Sequence, residues 1–373
     1  MSNPRKAILI TYPFEHAIKE ATSLADAAGY LVETTVNQRH ITRSKYGIGS
    51  GKAEEIKALV ENLKPNAIIF DEVLKPSQQY NLASLCKTEI IDRERLILEI
   101  FERRASTAES KIQIKLAQLR YDMIRAREKV SLAKRGEQPG FFGMGKYDAE
   151  VYFLDIKKRA AYLKRKLERE KTRRELHRIQ RSKVHLCTIS IAGYTSTGKT
   201  TLFNTLTGGS KIAGQGIFTT LSTSTRAINL KCGKVLVSDT VGFISKLPAY
   251  MIDAFESTLQ ELTHSSLVLL LLDISQSIEE VWTEFSSSVH VMNKLGVPMT
   301  KIIYILNKVD LTTVEDAIDK AARLGIIDSN QRVLPISAKT GFNIDQLKNF
   351  ITLLVFSDTE KKIEDNNVLN VQK

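Results

Sequence analysis

The stretch Gly193 to Thr201, GYTSTGKTT, constrains this 373-residue chain more than any other. Gly193, Tyr194, Thr195, Ser196, Thr197, Gly198, Lys199, Thr200 and Thr201 carry the spacing G-x-x-x-x-G-K-[ST], a glycine loop that joins a strand to a helix. The flanks agree. Val184 to Ala192 (VHLCTISIA) has the apolar bias of a buried strand, and Thr200 to Leu206 (TTLFNTL) reads as a helix opening. Consecutive backbone N–H groups at a helix N-terminus meet phosphate oxygens, and glycine lets them approach closely. In such a loop Lys199 reaches the β- and γ-phosphates and the Thr200 hydroxyl ligates Mg²⁺.

Downstream, strands are expected over Arg226 to Leu230 and Lys234 to Ser238, the second ending in Asp239-Thr-Val-Gly242. A carboxylate at that strand end holds Mg²⁺ directly or through water, and the Gly242 amide approaches a γ-phosphate because no side chain intervenes. Thr220, in the Thr-rich stretch Gly216 to Arg226, is the best candidate to complete the Mg²⁺ shell. Buried strands Leu267 to Asp273 and Ile302 to Leu306 lead to Asn307-Lys308-Val-Asp310, and Arg332 to Ile336 leads to Ser337-Ala338-Lys339. The Asp310 carboxylate can accept from the N1 and 2-amino groups of guanine. Adenine has no such donor pair and leaves buried polar groups unpaired. The backbone at Ser337, Ala338 and Lys339 can meet the base's O6. These motifs, in this order, predict a GTP/GDP site with Mg²⁺. The residue after Gly242 is Phe243, where many GTPases place a water-orienting glutamine, so slow intrinsic turnover completed by a partner is expected.

Three regions precede or follow this domain. Residues 1–92 alternate short apolar strands with helices, which predicts a small α/β domain with a parallel sheet. Its glycine cluster Gly47 to Lys52 reads as a flexible loop with a helix start or as an anion or nucleotide contact, and Asp71 and Glu72 as a solvated turn. Residues 93–183 hold 26 Lys or Arg against 13 Asp or Glu, a net +13 beside +12 for the whole chain, so the remainder is nearly neutral. Ile112, Leu116, Leu119 and Met123, then Ile156, Ala160, Leu163 and Leu167, recur at helical spacing on either side of Arg135 to Lys146. Two such arms predict an antiparallel helical hairpin. Adjacent like charges at Lys157-Lys158-Arg159 and Lys164-Arg165-Lys166 point to a phosphate backbone, and Phe141 and Phe142 at the tip can stack on bases or pack on a neighbour. Residues 184–355 form the nucleotide domain, and 356–373 a polar tail read as disordered.

Cys86, Cys187 and Cys232 lie far apart without CxxC spacing, which fits a reducing cytosol and a cytoplasmic location. The apolar run Leu267 to Leu272 is too short to cross a bilayer, and the basic arms have no strongly apolar opposite face to insert.

The chain resembles the HflX family of ribosome-associated, translation-factor-related GTPases along nearly its whole length. The resemblance rests on GYTSTGKTTLFN (193–204), IFTTLSTSTR (217–226) and DTVGFISKLP (239–248). More specific are YGIGSGKAEEIKAL (46–59), FDEVLKPSQQYNL (70–82) and IIDRERLILEIFERRASTAESKIQIKLAQLRY (90–121), which GTPases in general lack. It implies an N-terminal α/β HflX domain, a helical hairpin and a Ras-like P-loop GTPase domain in a monomer. It also implies binding to the large ribosomal subunit and its rRNA through the basic hairpin, and GTP-dependent splitting or rescue of ribosomes. Some members are described as hydrolysing ATP through the N-terminal region, which gives Gly47 to Lys52 a role. A GTPase of subunit assembly, or a nucleotide-gated RNA-binding module with incidental hydrolysis, would share the same residues. Ser196 stands where the family usually has an Asn associated with potassium-stimulated hydrolysis. The degenerate segment 139–159 suggests an archaeal-like short form.

Overall fold

The computed structural model describes residues 4–41, 45–105, 107–134, 146–182, 187–209, 224–244, 250–251, 256–327 and 332–356. The hairpin tip with Phe141 and Phe142, the threonine Thr220 and the tail after 356 lie outside them. The chain divides into two compact units, one of residues 1–172 with 248–254, the other of the remainder. Among the described residues no helix is long and apolar enough to cross a membrane.

In the first unit β1 (Arg5–Thr11), β2 (Tyr30–Asn37), β3 (Ala67–Phe70) and β4 (Glu89–Ile91) make an all-parallel sheet in the order β2-β1-β3-β4. The central strand β3, AIIF, is buried throughout, the run expected of a strand covered on both faces. Helices α1 (Glu15–Ala27), α2 (Ser50–Leu63) and α3 (Pro76–Cys86) make the crossovers, and Pro76 opens α3 where a missing N–H costs nothing. Ile8, Ile10, Ile56, Ile68, Phe70 and Leu82 anchor the core.

Asp71 departs from the solvated turn expected of it. It is 5% exposed, accepts from Thr11 Oγ1 at 2.7 Å and is ion-paired with the equally buried Arg93, which also reaches Glu20 at 3.0 Å. The sequence placed a carboxylate after a strand, but its cation is 22 residues on and only the fold delivers it. Arg93 opens α4 (Arg93–Arg104), a helix packed on α1 and β3 ahead of the two long arms. Asp92 caps it, accepting from the Arg95 N–H at 2.9 Å. The same carboxylate accepts from the Tyr121 hydroxyl at 3.0 Å and pairs with Arg125, both on α5 (Ala108–Lys134). The hydroxyl of Tyr250, also in this unit, donates to Glu94 at 3.2 Å.

The hairpin follows the predicted seam. Leu119, Met123 and Ala126 of α5 meet Phe153, Ile156, Ala160 and Leu163 of α6 (Lys146–Ser182). Ile112 is buried too, outside that cluster.

The second unit is a six-stranded sheet in the order β10-β9-β8-β5-β7-β6. Its strands are β5 (Thr188–Gly193), β6 (Ser224–Leu230), β7 (Gly233–Asp239), β8 (Leu267–Asp273), β9 (Ile302–Asn307) and β10 (Val333–Pro335). Every pair is parallel except β6 with β7. The connections leave β5 toward β7 on one side and β8 on the other, so the carboxyl end of β5 lies where an open α/β sheet forms its binding crevice. The core joins Ile189, Ile191, Phe203, Val237, Leu269 and Ile305.

Asp92→Ala removes a helix cap and leaves Arg125 without its carboxylate. The expected cost is about 3–5 kcal/mol, the range for breaking a buried ion pair, read from urea unfolding. Asp92→Asn, which keeps the cap, is expected to lose less.

Candidate nucleotide-binding site

β5 ends at Gly193, the loop runs to Gly198, and α7 (Lys199–Thr207) begins at Lys199. Two cross-links hold this loop. Asn307 Nδ2 donates to the Thr197 carbonyl at 2.7 Å while its Oδ1 accepts from the Ala338 N–H at 2.9 Å. One buried side chain thereby joins the phosphate loop, the NKxD segment and the SAK segment. On the other flank the Thr195 N–H donates to the Phe243 carbonyl at 2.8 Å, and the Phe243 N–H to Gly193 at 3.0 Å. The Phe243 ring is fully buried, so the side chain packs while the main chain ties Asp239–Gly242 to the loop.

Within the loop, Thr197 Oγ1 and Lys199 Nζ both donate to the Tyr194 carbonyl, at 2.9 and 2.5 Å. Burial pushes the Lys199 ammonium down to about 8 against the opposing pull of Asp239. A methyl on Gly242 would stand 2.9 Å from Lys199 Nζ, so the lysine tip and the Gly242 backbone share one small space. Ser196 is exposed and left-handed (φ 63), and Thr201 is half-buried on α7.

Thr200 Oγ1 donates to Asp239 Oδ2 at 3.2 Å, and both residues are buried. A hydroxyl and a carboxylate side by side, with no nitrogen or sulfur ligand, form a hard donor pair that suits Mg²⁺. Among the described residues no cluster of three or more His, Cys, Asp or Glu offers another metal site.

At the far side Asp310 is exposed and oriented by Ser337 Oγ, which donates to its Oδ1 at 2.6 Å. Lys339 is exposed, and the Ala338 carbonyl accepts from Thr205 Oγ1 at 2.8 Å. Lys308 takes the left-handed conformation (φ 69) and its ammonium lies 2.5 Å from Asp273 at the end of β8. The structure therefore gathers Gly193 to Thr201, Asp239, Gly242, Asn307, Lys308, Asp310 and Ser337 to Lys339 along one sheet edge.

Sequence reasoning missed Asp273, Gln276 and Glu284 behind Lys308. Asp273 had a visible signal, a carboxylate at a strand end like Asp239. Glu284 had none, because one glutamate in an amphipathic helix looks like a solvated one.

Gly198 has φ 96, and a methyl there would lie inside van der Waals distance of Asn307 Nδ2. Gly198→Ala is expected to strain the loop and dislodge Asn307, weakening GDP binding by at least about tenfold in a fluorescence titration, the equivalent of one lost buried hydrogen bond.

Comparison with known proteins agrees with this geometry. Residues 15–102 match the family described as GTP-binding GTPase N-terminal, 104–181 GTP-binding GTPase Middle Region, and 188–308 50S ribosome-binding GTPase. GTPase HflX of Methanocaldococcus jannaschii is 41% identical over 339 residues, 90% of this chain and 82% of that protein. The Escherichia coli HflX is 33% identical over 90% of this chain and 78% of its own. A crystal structure of a GTP-binding protein from Sulfolobus solfataricus in complex with GDP aligns with TM-score 0.53 and 28% identity, covering 95% of this chain and 99% of that one. With the phosphate loop, the Asn307–Asp310 segment and both upstream regions accounted for, the chain belongs to the HflX family of GTP-binding GTPases.

Proposed function

We propose that this GTPase binds the large ribosomal subunit and uses its GTP state to split or rescue ribosomes. The observation that carries this is the face of α6. Lys157, Lys158, Arg159, Lys164, Arg165 and Lys166 are all exposed, while Ile156, just before them, is buried against α5. Adjacent like charges held in register on a rigid arm are unfavourable without an anion, and phosphate backbone supplies one. The match of 188–308 to a family described as 50S ribosome-binding GTPases supports the same partner.

In this reading Lys199 and the Gly242 amide meet the γ-phosphate, Thr200 and Asp239 hold Mg²⁺ together with Thr220, and Asp310 reads guanine. The Ser337 to Lys339 backbone closes over the base. When bound, Mg²⁺ neutralises phosphate charge. The buried Phe243 ring offers no hydrogen bond to a water, so turnover is slow until the ribosome completes the site.

Purified protein with a non-hydrolysable GTP analogue is expected to cosediment with mature large subunits and to lower the fraction of joined ribosomes in a gradient. Association with precursor particles alone favours assembly instead, and binding indifferent to nucleotide favours an RNA-binding module. Lys199→Ala is expected to abolish the nucleotide dependence. Asp310→Asn should move preference from guanine toward xanthine nucleotides in a competition assay. Replacing Lys164, Arg165 and Lys166 with Ala should weaken subunit binding and flatten its salt dependence, by roughly 0.7–0.9 in log–log slope per lost phosphate contact.

A further inference from the structure

Behind Lys308 lies a chain of side chains drawn from three separate elements. Asp273, 4% exposed at the end of β8, receives the Lys308 ammonium on Oδ2 and Ser275 on Oδ1, from its hydroxyl at 2.6 Å and its N–H at 3.2 Å. Gln276 Nε2 donates to Asp273 Oδ2 at 3.3 Å and to Glu284 Oε1 at 3.1 Å. Glu284 comes from the helix Ile278–Lys294, whose N-terminus is held by a reciprocal Ser277–Glu280 capping box. The Gln276 backbone is itself fixed, since Lys320 from the helix Val314–Arg323 donates to the carbonyls of Ile274 at 3.0 Å and Gln276 at 2.9 Å. Both hydrogens of one amide are thus divided between two carboxyl groups.

We propose that Glu284 is a positioning residue of the guanine-nucleotide site, acting through Gln276 and Asp273 to hold Lys308 in register with Asp310. The proposal rests on reading Asn307 to Asp310 as the base pocket.

The two carboxyl groups are served unequally. Asp273 has an ammonium and a hydroxyl. Among the described residues Glu284 has only its share of an amide, and its Oε2 is buried with no hydrogen-bond partner. The charged groups facing it are Asp273 from β8, Lys199 from α7 and Lys308 after β9, with Lys320 engaged on the adjacent backbone. Burial pushes the Glu284 carboxyl up to about 8, and Asp273 adds to the rise. In the neutral form Glu284 orients Gln276 and leaves Lys308 to Asp273. Once ionised, it becomes a second anion competing for Gln276 and Lys308, and the lysine beside the base loses its fixed position. The folded state favours the protonated form, so the stability this group contributes is complete below its ordinary value of 4.5 and is lost as pH rises toward 8.

Dissociation constants of a fluorescent GDP for the full-length protein between pH 6.5 and 9 provide the test, with wild type, E284Q, E284A and D310N. Titration of the nucleotide itself is common to all four. Wild-type affinity is expected to weaken about fivefold to tenfold from pH 7 to 9, the scale of one ordinary hydrogen bond. E284Q, which keeps the shape and cannot ionise, should hold the low-pH affinity across the range. E284A should be weaker at every pH and flat, because Gln276 has lost its second anchor. E284Q should also lose less thermal stability than wild type between pH 5 and 8. A pH profile of E284Q that superimposes on wild type, or an E284A that binds like wild type, overturns the proposal. If that happens while D310N still weakens GDP binding, the base pocket stands and only the role of Glu284 falls. An unaltered D310N refutes the base pocket, and the proposal with it.

Discussion

One side-chain amide holds the nucleotide domain's working edge together. Asn307 is 2% exposed and spends both ends on backbone, the carbonyl of Thr197 and the N–H of Ala338. Neither partner is near it in sequence. A buried amide that loses one partner costs about 1–3 kcal/mol, so these loops can shift together far more easily than apart. The sheet makes the link possible, because β5, β8 and β9 are parallel, with β8 and β9 ending together at Asp273 and Asn307 and β5 ending opposite Leu271. From β5 to β9 is two strand spacings, about 10 Å, and that width separates the phosphate loop from the Asn307–Asp310 segment.

The two units solve burial of charge differently. In the first, Asp71–Arg93 and Asp92–Arg125 are enclosed ion pairs that tie α4 and α5 to the sheet, with every ion given further hydrogen bonds. Such pairs contribute little net stability, but each is expensive to break, which favours one arrangement of the helices over others. In the second unit the buried charged residues Lys199, Asp239 and Asp273 lie at or just beyond the carboxyl ends of β5, β7 and β8. Buried charge there marks the site, whereas in the first unit it marks the joints.

Much of this was legible beforehand because the relevant patterns are local. A loop of fixed spacing, apolar runs such as LVLLLLD and AIIF, and seams at helical spacing each carry their meaning within a few residues. Gly193 to Thr201, Asp239, Gly242 and Asn307 to Asp310 could therefore be found, and their convergence on one edge follows from parallel strands. What escaped was pairwise and long-range. Asp71 looked solvated because Arg93 lies on another element, and Glu284 looked like any surface glutamate because Gln276 and Asp273 define its surroundings. Phe243 could be read for the hydrogen bond its ring cannot make, but the bridge its main chain forms with Tyr194 was invisible.

That bridge bears on how such a site can change over generations. Position 243 serves the loop through its N–H and C=O, which any residue but proline can supply, and serves the core through its ring. A glutamine substituted there would sit in a fully buried position instead of solvent, and its amide would cost free energy unless it found a partner there. The route to a self-sufficient hydrolase through this position is thus closed by packing, several steps before chemistry would be tested. The constraint on position 243 is in that sense a ratchet, kept in place by a fully buried side chain.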